Sequence, residues 1–429
     1  MSDDTPLGFE TRMIHAGAAP DPATGARQTP IYQTTSFVFQ DAAHAARLFS
    51  LQEVGYIYSR LTNPTVAVLQ ERVASLEGGV GAVAAASGHA AQLMTLFPLM
   101  APGRNIVAAD KLYGGTVNQF GQAIKRFGWS VKFVDFDDTD AVKAAIDDDT
   151  RAIWCESLAN PGGIVTDVEA ISAVAKDAGL PLIVDNTMAT AALWRPIEHG
   201  ADLVCSSTTK FMSGNGTSIG GIVVDSGNFD WKASGKFPSL SEPAPEYHGL
   251  NFAEALGPMA FTFHSIAIGL RDLGGCQQPQ NAFYTLLGLE TLALRMERHS
   301  QNAMKVAEYL EGHSSVDWVS YSGLKSSQYY DRAQKYLPNG AGAVFTIGVK
   351  GGYDAGVKLV DSLKLFSNLA NIGDSRSLVI HSASTTHSQL SDEAKVAAGA
   401  GPEVVRLSIG LETADDLIAD LDQALAATA

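Results

Sequence analysis

A lysine that follows a run of hydroxyl residues is the strongest chemical signal in the sequence. Lys210 ends the segment Ser206-Ser207-Thr208-Thr209-Lys210, which directly follows the apolar run ADLVC. Hydroxyl groups and free backbone N–H groups at a strand end can hold a phosphate. A lysine whose pKa is lowered by burial can bond covalently to a carbonyl carbon. The alternative for this pentapeptide alone is a solvated loop lysine after a Ser/Thr turn.

A carboxylate ends a second apolar run. Asp185 closes the segment LPLIVD, one predicted strand before Lys210. Because burial of an unpaired carboxylate is costly, Asp185 needs a partner. The protonated ring nitrogen of a cofactor is one candidate, and a helix cap or an arginine pair is the alternative. If the two strands are neighbours, Asp185 and Lys210 flank one crevice.

Small residues join a third apolar run to a predicted helix at Ser87-Gly88-His89-Ala90. At such a turn the first N–H groups of the helix can approach an anion, and the helix dipole favours the contact. The segment lacks the full GxGxxG spacing of a dinucleotide site. Most strand-to-helix turns bind nothing, so this motif alone is weak.

Four further residues have side chains suited to binding. Tyr113, in KLYGGT, could stack on an aromatic ring or pack within an ordinary turn. Tyr58 and Arg60 lie two apart in an irregular segment, which places both on one side, suited to a phosphate or to an interface salt bridge. Arg406 interrupts the apolar run VVRLSIG and requires a carboxylate, either from the protein or from a substrate.

The elements that position these residues follow an alternating order. From Val66 to about Gly200, short runs rich in Val and Ile alternate with helical patterns. This order predicts a largely parallel sheet with helices on both faces, in which ligands bind at the carboxyl ends of the strands. We predict an α/β protein with an extended arm (residues 1–65) that lies on a neighbouring subunit, a large domain (66–275) and a C-terminal domain (276–429).

Two helices are predicted in the C-terminal part. A continuous helical pattern runs from about Ala282 to Gly312. A final helix over TADDLIADLDQALAA has Thr413 and Asp416 spaced as a capping box.

The composition excludes several classes of function. The chain has 429 residues, and 30 Lys and Arg against 46 Asp and Glu give a net charge of −16, which argues against nucleic acid or an anionic membrane as partner. Three cysteines cannot form a disulfide framework, and no spacing indicates a metal site. The N-terminal segment lacks a secretory signal pattern. We therefore expect a cytoplasmic protein that could still bind a small anion.

Taken together, the motifs resemble the Cys/Met-metabolism family of pyridoxal-phosphate (PLP) enzymes, of fold type I. The matching segments occur in family order along the whole chain. They are YSRLTNPT (58–65), SGHAA (87–91), LYGGT (112–116), ANPGG (159–163), VDNTMAT (184–190), SSTTKFMSGNG (206–216), SLVIHSASTTH (377–387) and VRLSIGLE (405–412).

The resemblance implies a role for each matching residue. Lys210 matches the lysine that bonds to PLP and moves protons, Asp185 the carboxylate on the pyridine nitrogen, and Tyr113 the tyrosine stacked on the ring with a part in acid–base steps. Arg406 matches the arginine that binds the substrate carboxylate. Further matches are Gly88, His89, Ser207 and Thr209 for the phosphate, Tyr58 and Arg60 for the phosphate of the neighbouring subunit, Thr187 and Asn160 near the ring, and Ser377 beside the substrate carboxylate.

The resemblance also implies an activity. The segments ETRMIHAG, RQTPIYQTTSFVF and FHSIAIGLRDLG resemble the branch that converts O-acetyl-L-homoserine and sulfide, or a small thiol, to L-homocysteine and acetate in methionine biosynthesis. Methionine γ-lyases have a cysteine where this sequence has Gly115. Methionine γ-lyase, cystathionine γ-synthase and O-succinylhomoserine sulfhydrylase activities remain alternatives, as do a non-catalytic binding protein and a nucleotide-binding α/β protein. The family implies a homo-oligomer, a tetramer.

Overall fold

The computed structural model describes residues 7–160, 163–385, 388, 395 and 399–428. Four residues of the matching motifs, Pro161, Gly162, Thr386 and His387, lie outside this part of the chain. Within it, no helix is both long enough and apolar enough to cross a membrane.

The larger of the two sheets has seven strands. Its spatial order is β1-β7-β6-β5-β4-β2-β3, and β7 alone runs antiparallel to both of its neighbours. The other pairs are parallel, so the predicted α/β fold with a largely parallel sheet is confirmed. The strands are β1 (Gly81–Ala85), β2 (Asn105–Ala109), β3 (Ser130–Val134), β4 (Thr150–Glu156), β5 (Leu182–Asp185), β6 (Leu203–Ser206) and β7 (Gly221–Asp225).

The central strands are buried on both faces. Most residues of β1, β2, β4, β5, β6 and β7 are inaccessible to solvent, because helices cover the sheet. Such strands are runs of Val, Ile and Ala rather than alternating patterns, which is how the sequence predicted them. The α-helices of seven or more residues are Phe9–His15, Ala42–Phe49, Pro64–Glu77, Gly88–Leu96, Thr139–Ala145, Val168–Asp177, Pro279–Leu289, Leu292–Glu311, Tyr330–Tyr336, Gly352–Ser362 and Ala414–Ala426.

Shorter helical segments complete the connections. Several of them lie between Ser226 and Gly274. The segments are Gly114–Asn118, Gln119–Ala123, Ile124–Phe127, Thr190–Leu193, Pro196–His199, Trp231–Ser234, Pro238–Ser241, Pro245–Tyr247, Phe252–Leu256, Gly257–Met259, Ala260–His264, Ser265–Leu270, Arg271–Leu273 and Ser382–Ser384.

A second sheet of five strands brings the C-terminal part of the chain to the site. Its order is β10-β11-β12-β9-β8, with only the β10–β11 pair parallel. Arg406 lies in β12, which is central in this sheet. The strands are β8 (Val316–Ser320), β9 (Val344–Val349), β10 (Ser367–Asn368), β11 (Leu378–His381) and β12 (Val404–Ser408).

Three local expectations differ from the structure. The arm is not extended throughout, since Phe9–His15 and Ala42–Phe49 are helical and Asp41 caps the second of these through the N–H of His44. The helical pattern after Ala282 is interrupted at Glu290 and Thr291, which separate two helices. Thr413 occupies the N-cap position of the last helix, but its side chain makes no capping hydrogen bond.

Candidate active site

The carboxyl edge of the large sheet borders a cavity of about 190 Å³. Strands β1, β4, β5 and β6 all end at this edge, and β12 reaches it from the smaller sheet. The cavity is lined by ten of the residues predicted from sequence: Gly88, His89, Tyr113, Asn160, Asp185, Thr187, Ser207, Thr209, Lys210 and Arg406.

Lys210 lies in the turn after β6, with its amine in the cavity. Burial, and the nearby positive charge of Arg406, lower the pKa of Lys210 to about 8. Within the described part of the chain its amine forms no ion pair, and its one hydrogen bond goes to Oδ1 of Asn371. Near neutral pH the amine can therefore lose its proton readily, as a nucleophile or a base requires.

Two carboxyl groups of the cavity wall lie side by side. Asp185 in β5 is the register partner of Glu156 in β4. Burial raises the pKa of Asp185, and burial together with the charge of Asp185 raises the pKa of Glu156 to about 8. Oδ1 of Asp185 accepts the N–H of Thr187 at 3.0 Å. The pair lacks a cation among the described residues, so a ligand that brings positive charge to Asp185 would be favoured.

Glu156 also fixes the loops on either side of the cavity. Its Oε1 accepts the N–H of Tyr113 at 2.6 Å, and its Oε2 accepts the N–H of Asn160 at 3.1 Å. The Tyr113 ring, which is about half exposed, stacks near His89 with 6.0 Å between ring centroids. A Cβ atom at Gly115 would lie 2.4 Å from the Tyr113 ring, so a side chain there would displace the tyrosine.

An anion could be held where the helix Gly88–Leu96 begins. Ser87 caps this helix through the N–H of Ala90, while the N–H groups of Gly88 and His89 have no acceptor among the described residues. Ser207 faces this turn closely, because a Cβ atom at Gly88 would lie only 2.9 Å from its Cβ. Free N–H groups at a helix start, together with a hydroxyl, suit a phosphate.

Neighbouring threonines hold this turn in shape. Oγ1 of Thr187 accepts the N–H of Ser207 at 2.8 Å, which ties the end of β5 to the end of β6. Oγ1 of Thr209 donates to the carbonyl of Gly220 and accepts its N–H, both at 3.1 Å. The two threonines therefore line the cavity and also hold the backbone around it by hydrogen bonds.

Arg406 lines the same cavity with part of its hydrogen-bonding capacity unused. Its Nη1 donates to Oδ1 of Asn160 at 3.3 Å and its Nη2 to the carbonyl of Asn371 at 3.2 Å. Its Nε is buried and has no partner in the part of the chain that the structure describes. Burial lowers the pKa of Arg406 to about 10. A guanidinium in this state suits a carboxylate, which could accept two parallel hydrogen bonds.

Three residues predicted for the site do not line this cavity. The hydroxyl of Ser377 donates to Oε2 of Glu412 at 2.9 Å and accepts the N–H of Gly410 at 2.8 Å. Arg60 lies over the ring of Tyr58, 5.4 Å from its centroid, and donates to the carbonyl of Arg271. Tyr58 and Arg60 were predicted to bind the phosphate in a neighbouring subunit, and that role stays a prediction.

Sequence reasoning did not select eight residues of the cavity wall, and three of these carry a carboxyl or amide group. Glu156 ends the apolar run AIWCE as Asp185 ends LPLIVD, so the same signal could have found it. Gln92 follows the Ser-Gly-His turn by one helical turn. Asn371 lies in the irregular segment SNLANIGD, which carries no comparable signal.

A comparison with protein families decides the assignment. The model of the Cys/Met metabolism PLP-dependent enzymes matches residues 10–426. The chain belongs to this family. Among curated proteins it is 51% identical to the homocysteine synthase of Schizosaccharomyces pombe over 97% of this chain and 98% of that protein. It is 50% identical to the O-acetyl-L-homoserine sulfhydrylase of Leptospira meyeri (97% and 96% covered) and to O-acetyl-L-homoserine sulfhydrylase 1 of Thermus thermophilus (98% and 100%).

A solved structure has the same fold as this PLP enzyme over nearly the full length of both chains. A Campylobacter jejuni protein, provisionally assigned as an O-acetylhomoserine (thiol)-lyase, superposes with a TM-score of 0.95. The two are 42% identical, with 98% of this chain and 100% of that one covered, and the Campylobacter protein carries N'-pyridoxyl-lysine-5'-monophosphate.

The residues of this chain fit PLP. The free N–H groups at Gly88 and His89 suit its phosphate, and the buried Asp185 suits its protonated ring nitrogen. Lys210 supplies an amine that has no carboxylate partner among the described residues. The unpartnered Nε of Arg406 remains for an amino-acid substrate.

Proposed function

We propose that this PLP enzyme is an O-acetyl-L-homoserine sulfhydrylase, which forms L-homocysteine and acetate from O-acetyl-L-homoserine and sulfide. The observation that carries the proposal is the meeting of Lys210 and Arg406 in one cavity with Asp185. That set provides a base, a carboxylate-binding group and a cofactor anchor for an α-amino acid. O-acetyl-L-homoserine sulfhydrylases that are about 50% identical to this chain over nearly its whole length support the choice of substrate.

Arg406 and Asn160 would place the substrate. The guanidinium binds the α-carboxylate through two hydrogen bonds, and its existing bonds to Asn160 and Asn371 fix its plane. With the carboxylate held there, the α-carbon lies toward Lys210.

Lys210 would move the protons. When bound, PLP supplies an electron sink that stabilises negative charge on substrate carbons, and Asp185 keeps its ring nitrogen protonated. Lys210 removes the proton at the α-carbon and then one at the β-carbon, so that acetate leaves from the γ-carbon. Sulfide bonds to the γ-carbon, Lys210 returns the protons, and homocysteine is released. Tyr113, at the cavity mouth, is placed to assist with proton transfer.

The assembly and location are part of the same proposal. Tyr58 and Arg60 lie outside the cavity of their own chain, which supports a role in the site of a neighbouring subunit and thus at least a dimer, with a tetramer expected from the family. Cys155, Cys205 and Cys276 are free thiols, which supports a reducing compartment such as the cytoplasm.

The experiment that tests the activity separates replacement from elimination. Purified enzyme with PLP and O-acetyl-L-homoserine is incubated with and without sulfide, and homocysteine and 2-oxobutyrate are measured in the same tubes. We expect sulfide-dependent homocysteine with little 2-oxobutyrate. Abundant 2-oxobutyrate regardless of sulfide would instead identify a γ-lyase. O-succinyl-L-homoserine in parallel tubes tests the leaving group, and methanethiol tests the sulfur donor.

A further inference from the structure

Asn371 contacts both of the basic groups in the cavity. Its side-chain Oδ1 accepts a hydrogen bond from Nζ of Lys210 at 2.5 Å. Its main-chain carbonyl accepts a hydrogen bond from Nη2 of Arg406 at 3.2 Å. Asn371 therefore links the amine of Lys210 to the guanidinium of Arg406. Lys210 follows a strand of the large sheet, whereas Arg406 lies in the smaller sheet, far away in sequence.

The segment that carries Asn371 is held firmly from both sides. The N–H of Gly373 donates to Oγ of Ser408 at 3.1 Å, and the N–H of Ser375 donates to the carbonyl of Gly214 at 2.9 Å. Gly373 has φ of +73°, and a Cβ atom there would lie 2.7 Å from the backbone nitrogen of Phe211. The segment thus packs directly on the backbone that follows Lys210, so the Asn371 side chain has a defined position.

An amide has a chemical advantage over a carboxylate at this position. An amide oxygen orients the amine but adds no negative charge, whereas a nearby carboxylate would hold the lysine in its protonated form. The surroundings already favour the neutral amine, since burial and Arg406 lower the pKa of Lys210 to about 8. The titratable and charged groups that share the cavity with Lys210 are Arg406, His89, Tyr113, Glu156 and Asp185.

We propose that Asn371 is a positioning residue, which holds the amine of Lys210 beside Arg406 whenever that amine is not bonded to the cofactor. In an amino-acid substrate the α-carbon is bonded directly to the carboxylate carbon. When Arg406 binds that carboxylate, an amine held next to Arg406 therefore lies close to the α-hydrogen. The part of this inference that concerns substrate rests on the proposed function. The contact with Lys210 does not.

The first test uses the apoenzyme and needs no substrate. The rate at which Lys210 captures added PLP is followed by absorbance across pH, and borohydride reduction with peptide mapping identifies the modified lysine. We expect Asn371→Asp to move the midpoint of this profile upward by about one pH unit, because a carboxylate beside an amine raises its pKa. Asn371→Ala should not raise it.

Asn368→Asp is the matched control. Asn368 is exposed, lies in β10 three positions away and does not line the cavity, so the same change of charge there should leave the midpoint where it is in the unmodified enzyme. An Asn371→Asp midpoint equal to that of the control would overturn the proposed contact.

The second test measures turnover of the loaded enzyme. Asn371→Ala should lower kcat about tenfold or more, because a displaced base is costly to rate, while KM for O-acetyl-L-homoserine changes much less. A kcat for Asn371→Ala equal to that of the unmodified enzyme would overturn the positioning role. If the unmodified enzyme forms no homocysteine, the proposed function fails, yet the capture profile still decides the contact between Asn371 and Lys210.

Discussion

At the scale of single residues, the charges around the cavity are complementary to a ligand rather than to each other. Lys210 and Arg406 line the cavity together with Asp185 and Glu156, and within the described part of the chain none of the four forms an ion pair. Groups of this kind are costly to bury without partners. A ligand that carries a phosphate, a ring nitrogen and a carboxylate would supply partners for both the basic groups and the carboxyl groups. PLP together with an amino acid is such a ligand.

Lys210→Ala should abolish turnover, because no other amine lines the cavity among the described residues. Homocysteine formation is measured with sulfide and saturating PLP, and Lys210→Arg, which keeps the charge but is not readily deprotonated, should be inactive as well. Full turnover in the alanine variant would show that the base has been assigned to the wrong residue.

Arg406→Ala should act mainly on substrate binding. The loss of a charge-assisted contact to the carboxylate is expected to raise KM for O-acetyl-L-homoserine about ten- to hundredfold, with a smaller change in kcat. Steady-state kinetics at fixed sulfide provide the measurement. Arg406→Lys keeps the charge without the two parallel hydrogen bonds and should fall between the two enzymes. An unchanged KM would remove Arg406 from the substrate site.

Glu77 should make stability depend on pH. It is fully buried and accepts hydrogen bonds from Nδ2 of Asn186 at 3.1 and 3.3 Å, and burial raises its pKa from 4.5 to about 8. The folded protein therefore holds a proton on Glu77 that the unfolded chain has lost. The stability from this proton is fully present below about pH 4.5 and is lost as the pH rises through about 8.

The comparison of Glu77→Gln with the unmodified protein isolates this effect. Glutamine retains an acceptor for Asn186 but does not titrate, so the variant should lose less Tm than the unmodified protein between pH 5 and pH 9. Thermal unfolding of both proteins at several pH values gives the difference. Parallel curves over that range would show that Glu77 does not titrate in this way.

At the scale of elements, the start of one helix and the turn after one strand must fit closely. The helix Gly88–Leu96 begins close to Ser207, which follows β6. A Cβ atom added to Gly88 would lie only 2.9 Å from the Cβ of Ser207. Thr187, after β5, binds the N–H of the same serine. Three elements thus meet at one point, and their meeting depends on the strand order of the sheet.

Gly88→Ala should weaken PLP binding, because its methyl group would push the helix start away from Ser207. The dissociation constant of PLP from the apoenzyme, measured by absorbance titration, should rise by tenfold or more (about 1.4 kcal/mol). Gly312→Ala is the control, since the nearest atom to a Cβ there is 3.8 Å away. Equal affinities in the two variants would place the phosphate elsewhere.

At the scale of the whole molecule, the arm is the part whose role its own chain does not explain. Arg60 contacts Tyr58 and the carbonyl of Arg271, and neither arm residue lines the cavity. Exposed apolar side chains such as Val38, Phe49 and Val54 accompany them. These features agree with the proposal that the arm serves a neighbouring subunit.

Subunit mixing tests this arrangement. Lys210→Ala and Arg60→Ala subunits, each expected to be impaired alone, are co-expressed with different tags and the mixed oligomer is isolated. If the arm acts on its neighbour, one site of each mixed dimer has both an intact Lys210 and an intact Arg60, so activity should return. If the arm acts on its own chain, no intact site forms and activity should stay low. Light scattering of the unmodified enzyme checks that it is at least a dimer.

The sequence alone was sufficient to locate the central strands and the polar residues at their ends. Strands buried on both faces must be apolar runs, so β1, β4, β5 and β6 were visible from composition, and Asp185 and Lys210 stand out where such runs stop. The order of strand and helix then implied a parallel sheet, whose carboxyl ends share one edge. This logic is local, because it depends on a few residues and their neighbours in the chain.

Only the tertiary structure decided which distant residues meet. Glu156 beside Asp185, Asn371 on Lys210, and Ser377 bound to Glu412 rather than facing the cavity all depend on strand order and on how the two sheets pack. No pattern within the segment SNLANIGD marks Asn371. The backbone that carries it is held by hydrogen bonds from Gly373 to Ser408 and from Ser375 to Gly214, which are remote in sequence. Contacts of this kind exist only once the chain has folded.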